Sequence, residues 1–175
     1  TWCSSDLNLS DTEIDKFLRA ARTLLGDQSK FVIGLDLRKS PSILVPAYDD
    51  AQGVTAAFNL NLLKRINHEL GADFDLERFQ HAAIWNDSAS RIEMHLRSLT
   101  DQTVTIGPET IAFQSGETIH TENSRKFDLS KFIDLIAPTG WTLRQSWLDS
   151  QDYFAVLLLE ATYYEACYRP KSLIA

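Results

Sequence analysis

Between Ser10 and Leu37 the chain spells a helix and then a buried strand, and this succession restricts the fold more than any other feature. Ser10-Asp11-Thr12-Glu13 is a capping box, in which Ser10 satisfies an amide of the first turn while Glu13 reaches back. Ile14, Phe17, Leu18, Ala21, Leu24 and Leu25 then recur at helical spacing, and Gly26 stops the run. After a short loop, Phe31-Val32-Ile33-Gly34-Leu35-Asp36-Leu37 is almost continuously apolar, as buried parallel strands of α/β proteins tend to be. Helix, short loop and buried strand make one unit of an alternating α/β fold. A chain of 175 residues gives that unit room for one domain, or for one domain with an insertion.

The character changes after Arg38-Lys39-Ser40-Pro41. Tyr48-Asp49-Asp50-Ala51-Gln52-Gly53 reads as a polar loop, and residues 54–70 read as a long helix closed by Gly71. Val54, Phe58, Leu62, Ile66 and Leu70 lie four apart along it. Asn59, Asn61 and Asn67 are poor helix formers. They are read as solvent-facing, with hydrogen-bonding duty as the alternative. From Phe79 the period shortens to that of strands. Ile92, Met94 and Leu96 alternate with Arg91, Glu93, His95 and Arg97. Short strands follow at 103–106 and 111–113, and a longer one at 116–124. Hairpin-length connections make this an antiparallel block. Helix returns at 127–137, ended by Pro138 and Gly140, and strands are expected at 141–148 and 153–159. An α/β sheet whose chain leaves near Arg38, builds a subdomain and returns near Phe127 accounts for the order. The last residues have no clear period and read as a loosely packed tail.

Composition narrows the function classes. A formal charge of −7 with no Lys/Arg-rich run argues against a nucleic-acid footprint. No apolar run approaches a membrane span. Cys3 and Cys167 have no metal-ligand spacing and make no disulfide framework, so a reducing cytoplasm is the expected location. Thr1 opens the chain without an initiator Met or a signal-peptide pattern, so the sequence is expected to be part of something longer.

Chemistry is expected first at residues 116–124, a strand that ends in Glu122, Asn123 and Ser124. A carboxylate, an amide and a hydroxyl at the edge of a rigid element can orient a ligand, and they can equally begin a solvated loop. Glu93 and His95 share one strand face, as His120 and Glu122 share another; if the faces met, four ligand-type groups could converge on a metal. A solvated polar face explains both spacings, and no metal is assigned. His68 and His81 read as surface or satisfied core groups. Gly-x-Ser-x-Gly is absent, and no glycine-rich turn follows a strand, so neither a nucleophile elbow nor a dinucleotide or phosphate loop is present.

Four stretches together resemble the histidine Nα-methyltransferase family, the S-adenosylmethionine-dependent enzymes of ergothioneine biosynthesis. They are Ala47-Tyr48-Asp49-Asp50-Ala51-Gln52-Gly53-Val54-Thr55-Ala56-Ala57-Phe58-Asn59, Arg65-Ile66-Asn67-His68-Glu69-Leu70-Gly71-Ala72-Asp73-Phe74, Arg91-Ile92-Glu93-Met94-His95-Leu96, and residues 116–124. The resemblance runs from about Ser10 to Glu160. It implies an α/β fold: the C-terminal part of a class I, Rossmann-like methyltransferase sheet with an inserted α+β substrate-binding subdomain. Residues 1–37 and 126–160 would form the partial methyltransferase domain, 38–125 the substrate-binding subdomain and 161–175 a tail. Residues 31–37 would be a central sheet strand, and the strands after Trp141 an antiparallel pair at one edge.

By the same resemblance, Asn8 and Tyr48 would hold the amino-acid end of a histidine substrate, Glu122 and Ser124 would bind its imidazole, and Met94 would line the pocket. The chemistry suits the residue types. Glu122 can accept a charge-assisted hydrogen bond from an imidazole N–H, and a thioether packs against a ring. Methyl transfer needs a neutral amine held in line rather than acid–base catalysis, so no catalytic residue is assigned. The family's Gly-rich loop for S-adenosylmethionine would precede everything in this chain. Near Asn8 the family favours Gly-Ser-Thr-Ile-Gly-Asn where this chain has Cys3-Ser4-Ser5-Asp6-Leu7-Asn8, and its Tyr after Ser124 is Arg125. The resemblance is therefore to the C-terminal half of the enzyme, expected to be inactive alone. The alternative is a non-catalytic ligand-binding or interaction module of the same descent. Either would expose a sheet edge that pairs with a partner chain or with itself.

Overall fold

The computed structural model describes residues 8–161; Cys3, Cys167 and all of the expected tail beyond Ala161 lie outside them. The described residues form two compact units, one built on the chain up to Leu37 and from Phe127 onward, the other on Arg38–Lys126.

In the first unit, α1 (Asp11–Leu25) begins as the capping box requires: Ser10 accepts from the Glu13 amide and the Glu13 carboxylate accepts from the Ser10 amide at 2.8 Å. β1 (Lys30–Asp36) follows, and after the second unit come α4 (Leu129–Ile136), β7 (Trp141–Leu148) and β8 (Phe154–Ala161). The sheet order is β1-β8-β7, antiparallel throughout. This corrects the expectation of a parallel strand: residues 30–36 pair antiparallel with β8, and Leu37 bridges Phe127 in parallel. Among the described residues β8 lies between β1 and β7. An unbroken apolar run marks burial, not strand direction, and β8 alternates as a strand with one face on the core does: Ala155, Leu157, Leu159 and Ala161 are all buried. The strand expected to end at Leu159 thus runs on to Ala161, opposite Trp141.

Ile33 and Leu35 of β1 and alternate residues of β8 face Ile14 and Leu18 of α1 and Phe132 and Ile136 of α4, forming one core. Trp141 is fully buried there, and its Nε1 donates to the Leu18 carbonyl at 2.9 Å, so the indole is buried without an unpaired donor. The opposite sheet face carries Val32, Trp147 and Phe154, which are 62%, 47% and 41% exposed.

In the second unit, α2 (Pro41–Tyr48) and α3 (Val54–Leu70) precede an antiparallel sheet of β2 (Phe79–Asn86), β3 (Arg91–Ser98) and β6 (Thr118–Arg125), with β3 central. β4 (Gln102–Ile106) and β5 (Glu109–Phe113) form a separate hairpin. Leu63, Phe74, Phe79, Leu96, Val104 and Phe113 make its core, in which Phe79 and Phe113 meet edge to face at 5.5 Å. Residues 42–47 carry no element in the sequence pattern, and Tyr48 is expected to open a polar loop. Pro41–Tyr48 is instead a helix whose start follows from Ser40 at the N-cap and Pro41 in the first turn. α3 starts on a carboxylate three residues before its glycine cap: Asp50 accepts from the Val54 and Thr55 amides at 3.0 and 2.8 Å. Those bonds hold its carboxyl down at about 2.

The solvent-facing reading is corrected for Asn59 and Asn67, while Asn61 is exposed as expected. Asn59 is buried on the inner face of α3 beside Leu63, whereas Val54, Phe58, Leu62 and Leu70 face outward. Asn67 clasps residue 74, donating to the Phe74 carbonyl at 2.7 Å and accepting from its amide at 2.8 Å.

Candidate functional site

The site grows from one irregularity in β6. Glu122 lies opposite Met94 and His120 opposite His95, so Thr121 is an extra residue, a β-bulge. Its hydroxyl donates to the Met94 carbonyl at 2.9 Å, satisfying an acceptor at the break in the ladder. In a regular strand His120 and Glu122 would share a face. The bulge separates them. Glu122 and Ser124 join Met94 and Ile92 on one side of the sheet, and His120 and Asn123 join His95 and Glu93 on the other.

On the first side the hydroxyls of Tyr48 and Ser124 meet at 2.6 Å. Tyr48 is the last residue of α2, so the helix missed in the sequence is what delivers the phenol. Between the two hydroxyls sits Lys126, only 1% exposed, whose Nζ donates to Tyr48 Oη at 2.8 Å and to Ser124 Oγ at 2.6 Å. The same Nζ lies 4.8 Å from the centroid of the Tyr48 ring. Ser90 fixes the backbone of Lys126: the Lys126 amide donates to the Ser90 carbonyl at 2.8 Å, and Ser90 Oγ donates to the Lys126 carbonyl at 2.7 Å. Sequence reasoning missed Lys126. The signal was present, because Glu122, Ser124 and Lys126 alternate as one strand face.

The frame behind this group is hydrogen-bonded in one sense only. Asn59 Nδ2 donates to His81 Nδ1 at 3.0 Å and to the His95 carbonyl at 3.2 Å. His81 Nδ1 is therefore the acceptor, and Nε2–H donates to the Tyr48 carbonyl at 2.7 Å. His81 is the satisfied core group expected of it, and it anchors the end of α2. Beside this frame a cavity of about 200 Å³ opens between α3 and β6, with Asn59, Asn61, Arg65 and Glu122 as its polar lining and Phe58 and Leu62 as its apolar wall. Met94 is buried and Glu122 exposed. Of the five residues expected at a substrate site, Tyr48 and Ser124 are bonded, and Met94 and Glu122 are cross-strand partners on their side of the sheet. Asn8 is exposed ahead of α1 and belongs to the other unit.

The second side carries Glu93, His95 and His120, whose ligand-type atoms lie within 4.8 Å of one another. Three of the four groups weighed for a metal thus meet, without Glu122. The carboxylate is already engaged. Arg91 Nη2 and Asn86 Nδ2 reach Glu93 Oε1 at 2.7 and 2.9 Å, and His95 Nε2 lies 3.3 Å from Oε2. Burial pushes the Glu93 carboxyl up, but the bonds from Arg91, Asn86 and His95 outweigh it and bring it down to about 2. His120 stacks on His95 with centroids 4.7 Å apart and hands its Nε2 to Asn123 Oδ1 at 2.8 Å. The arrangement is an ion pair with stacked imidazoles, and no metal role is assigned to it.

For a nucleotide-type cofactor the described residues offer a poor fit. The turn from β1 into α2 is Leu37-Arg38-Lys39-Ser40, without glycine, and the glycines at positive φ close helices or turn hairpins, or in the case of Gly53 open α3.

A mixed α/β chain with a carboxylate, a hydroxyl and a thioether on one sheet face, a phenol from α2 and a small cavity beside them has polar groups converging as small-molecule sites do. Sequence comparison supplies the family. The model of a family described as histidine-specific, SAM-dependent methyltransferase matches residues 3–161, and the chain belongs to that family. It is 40% identical over 153 residues to the histidine N-alpha-methyltransferases of Mycolicibacterium smegmatis and of Mycobacterium tuberculosis, a match covering 86% of this chain and 48% of each relative. It is also 25% identical over 161 residues to ergothioneine biosynthesis protein 1 of Neurospora crassa, covering 90% of this chain and 18% of that protein. The chain thus spans about half the length of the bacterial relatives it matches.

Proposed function

We propose that this chain carries the histidine-binding part of an S-adenosylmethionine-dependent histidine Nα-methyltransferase, the enzyme that converts histidine to trimethylhistidine in ergothioneine biosynthesis. The observation that carries the reading is the alignment of Glu122, Ser124 and Met94 on one sheet face with Tyr48 bonded to Ser124. Two residues of extended strand separate Glu122 from Ser124 by about 7 Å, enough to take the two nitrogens of one imidazole between them. Glu122 accepts the ring N–H, which distinguishes histidine from an apolar side chain of similar size. Tyr48 would orient the amino-acid end without adding charge. In this reading the unit Arg38–Lys126 is a substrate-binding subdomain inserted in the C-terminal part of a Rossmann-like sheet, and the chain works in the cytoplasm.

The cofactor side of the reaction has no glycine-lined turn among the described residues, so the chain alone should transfer methyl groups negligibly and bind histidine weakly. Incubation with histidine and S-adenosylmethionine checks the first point; robust turnover would overturn it. An NMR titration with histidine checks the second. Glu122→Ala should weaken histidine 10- to 100-fold, the worth of one charge-assisted hydrogen bond of about 1.5–3 kcal/mol. Unchanged affinity in a folded variant would remove Glu122 from the pocket.

A second reading, a non-catalytic module acting with a partner chain or a second copy, is favoured by a separate observation: edge strand β1 and the exposed Val32, Trp147 and Phe154 beside it.

A further inference from the structure

Lys126 is a fully buried amine placed against two hydroxyls. The hydrogen-bond inventory of the three groups is small enough to solve. A hydroxyl has one proton and two acceptor positions. Lys126 donates to both oxygens, so each has one acceptor position filled. The 2.6 Å contact between Tyr48 and Ser124 uses one hydroxyl proton and one further acceptor position. One hydroxyl proton is left for anything bound beside the two oxygens, and the third N–H of Lys126 lies outside this exchange. A phenol is a stronger donor and a weaker acceptor than an alcohol, so Tyr48 donates to Ser124. Ser124 Oγ then has both acceptor positions occupied, by Lys126 and by Tyr48, and can only donate.

We propose that Lys126 is a positioning residue that makes Ser124 a hydrogen-bond donor only, so that the pocket selects the neutral form of an imidazole ligand. The inference rests on the reading of Glu122 and Ser124 as the imidazole pocket and deepens it. A neutral imidazole has one N–H and one bare nitrogen, the complement of a carboxylate acceptor and a hydroxyl donor. An imidazolium has two N–H groups, and the second would point at an oxygen with no acceptor position to offer. Removing Lys126 frees an acceptor position on Ser124 and admits the charged form.

The test is an NMR titration of the full chain with L-histidine between pH 5.5 and 7.5. Glu122, Lys126, Tyr48, His81 and Arg65 are the titratable or charged groups facing the pocket, from β6, its C-terminal flank, α2, β2 and α3. A triazole analogue of histidine, which stays neutral across this range, separates their titration from that of the ligand. With wild-type chain, histidine should bind about tenfold more tightly at the upper pH, following the neutral fraction of a side chain titrating near 6.5, while the triazole profile stays flat. Lys126→Met should reduce the histidine pH effect to less than about twofold. Tyr48→Phe, which also frees an acceptor position on Ser124, should weaken it in the same direction and serves if Lys126→Met does not fold. An unchanged pH profile in a folded variant overturns the role of Lys126 alone. Absence of histidine binding by every form, wild type included, overturns the pocket reading and this inference with it.

Discussion

Asn59 shows how much a single buried amide can carry. It donates both to His81, which in turn holds the Tyr48 carbonyl, and to the His95 carbonyl in the central strand. Asn59→Leu would leave an imidazole nitrogen and a carbonyl without their donor in a buried place. The expected cost is about 1–3 kcal/mol for each orphaned group, within that range overall if water enters. Urea denaturation measures it, and a loss below about 0.5 kcal/mol would show that the amide is dispensable. The variant should also blur the position of Tyr48, seen as broadened resonances of that ring. Residue types announced part of this site: a carboxylate and a hydroxyl two apart at a strand end could be read from the sequence. The asparagines could not, because propensity records only that Asn is a poor helix former and does not say which turn of the helix meets a histidine. Lys126 was hidden for a related reason. A lysine is ordinarily exposed, so nothing in its type suggested that it would be buried against the hydroxyls of Tyr48 and Ser124.

At the scale of elements, α3 hangs on Asp50. Its carboxyl is held at about 2 by the Thr55 and Val54 amides, below its ordinary value of 3.8. A group with a depressed pKa adds stability above its unfolded pKa and loses it as the pH falls through the folded value. The start of α3 should therefore fray as the pH drops from about 4 towards 2. Hydrogen exchange at the Val54 and Thr55 amides reads this directly. Asp50→Asn should make their protection independent of pH in that window, and persistence of the pH dependence would assign it elsewhere. Elements were legible where the pattern had a strong period. α1 and its capping box, the alternation of β3 and the turn strands 118–125 all follow from spacing. α2 escaped because Pro46 and a short span obscure its period, leaving only the Ser40-Pro41 start as a sign. The direction of β1 escaped because its own residues are compatible with any partner. Strand β8, far along the chain, decides it.

For the molecule as a whole, the question is what meets the sheet of the first unit. β1 leaves one side of its backbone ladder without a neighbour among the described strands, and Val32 stands 62% exposed on the face it shares with Trp147 and Phe154. The module reading predicts concentration-dependent self-association of the chain, measured by sedimentation velocity. Val32→Lys, a charge placed on an edge strand, should shift the population towards monomer. A wild-type chain that sediments as a monomer at every concentration would count against this reading and leave the pocket untouched. The chain divides into two units near Leu37 and Phe127. The stated family was visible in longer words of sequence, which no single spacing contains.

The bulge at Thr121 has a further consequence. One inserted residue shifts the parity of β6, so the strand obeys two different in-and-out registers on either side of a single peptide. Pairing Thr121 regularly instead of bulging it would turn over one half of the strand: either Glu122 would come to lie with His95, or His120 would cross to the side of Met94, whereas deleting Thr121 would leave both histidine and carboxylate opposite their present partners. The identity of a face here is a matter of counting, and a change that touches no ligand-type side chain can rewrite which of them belong together.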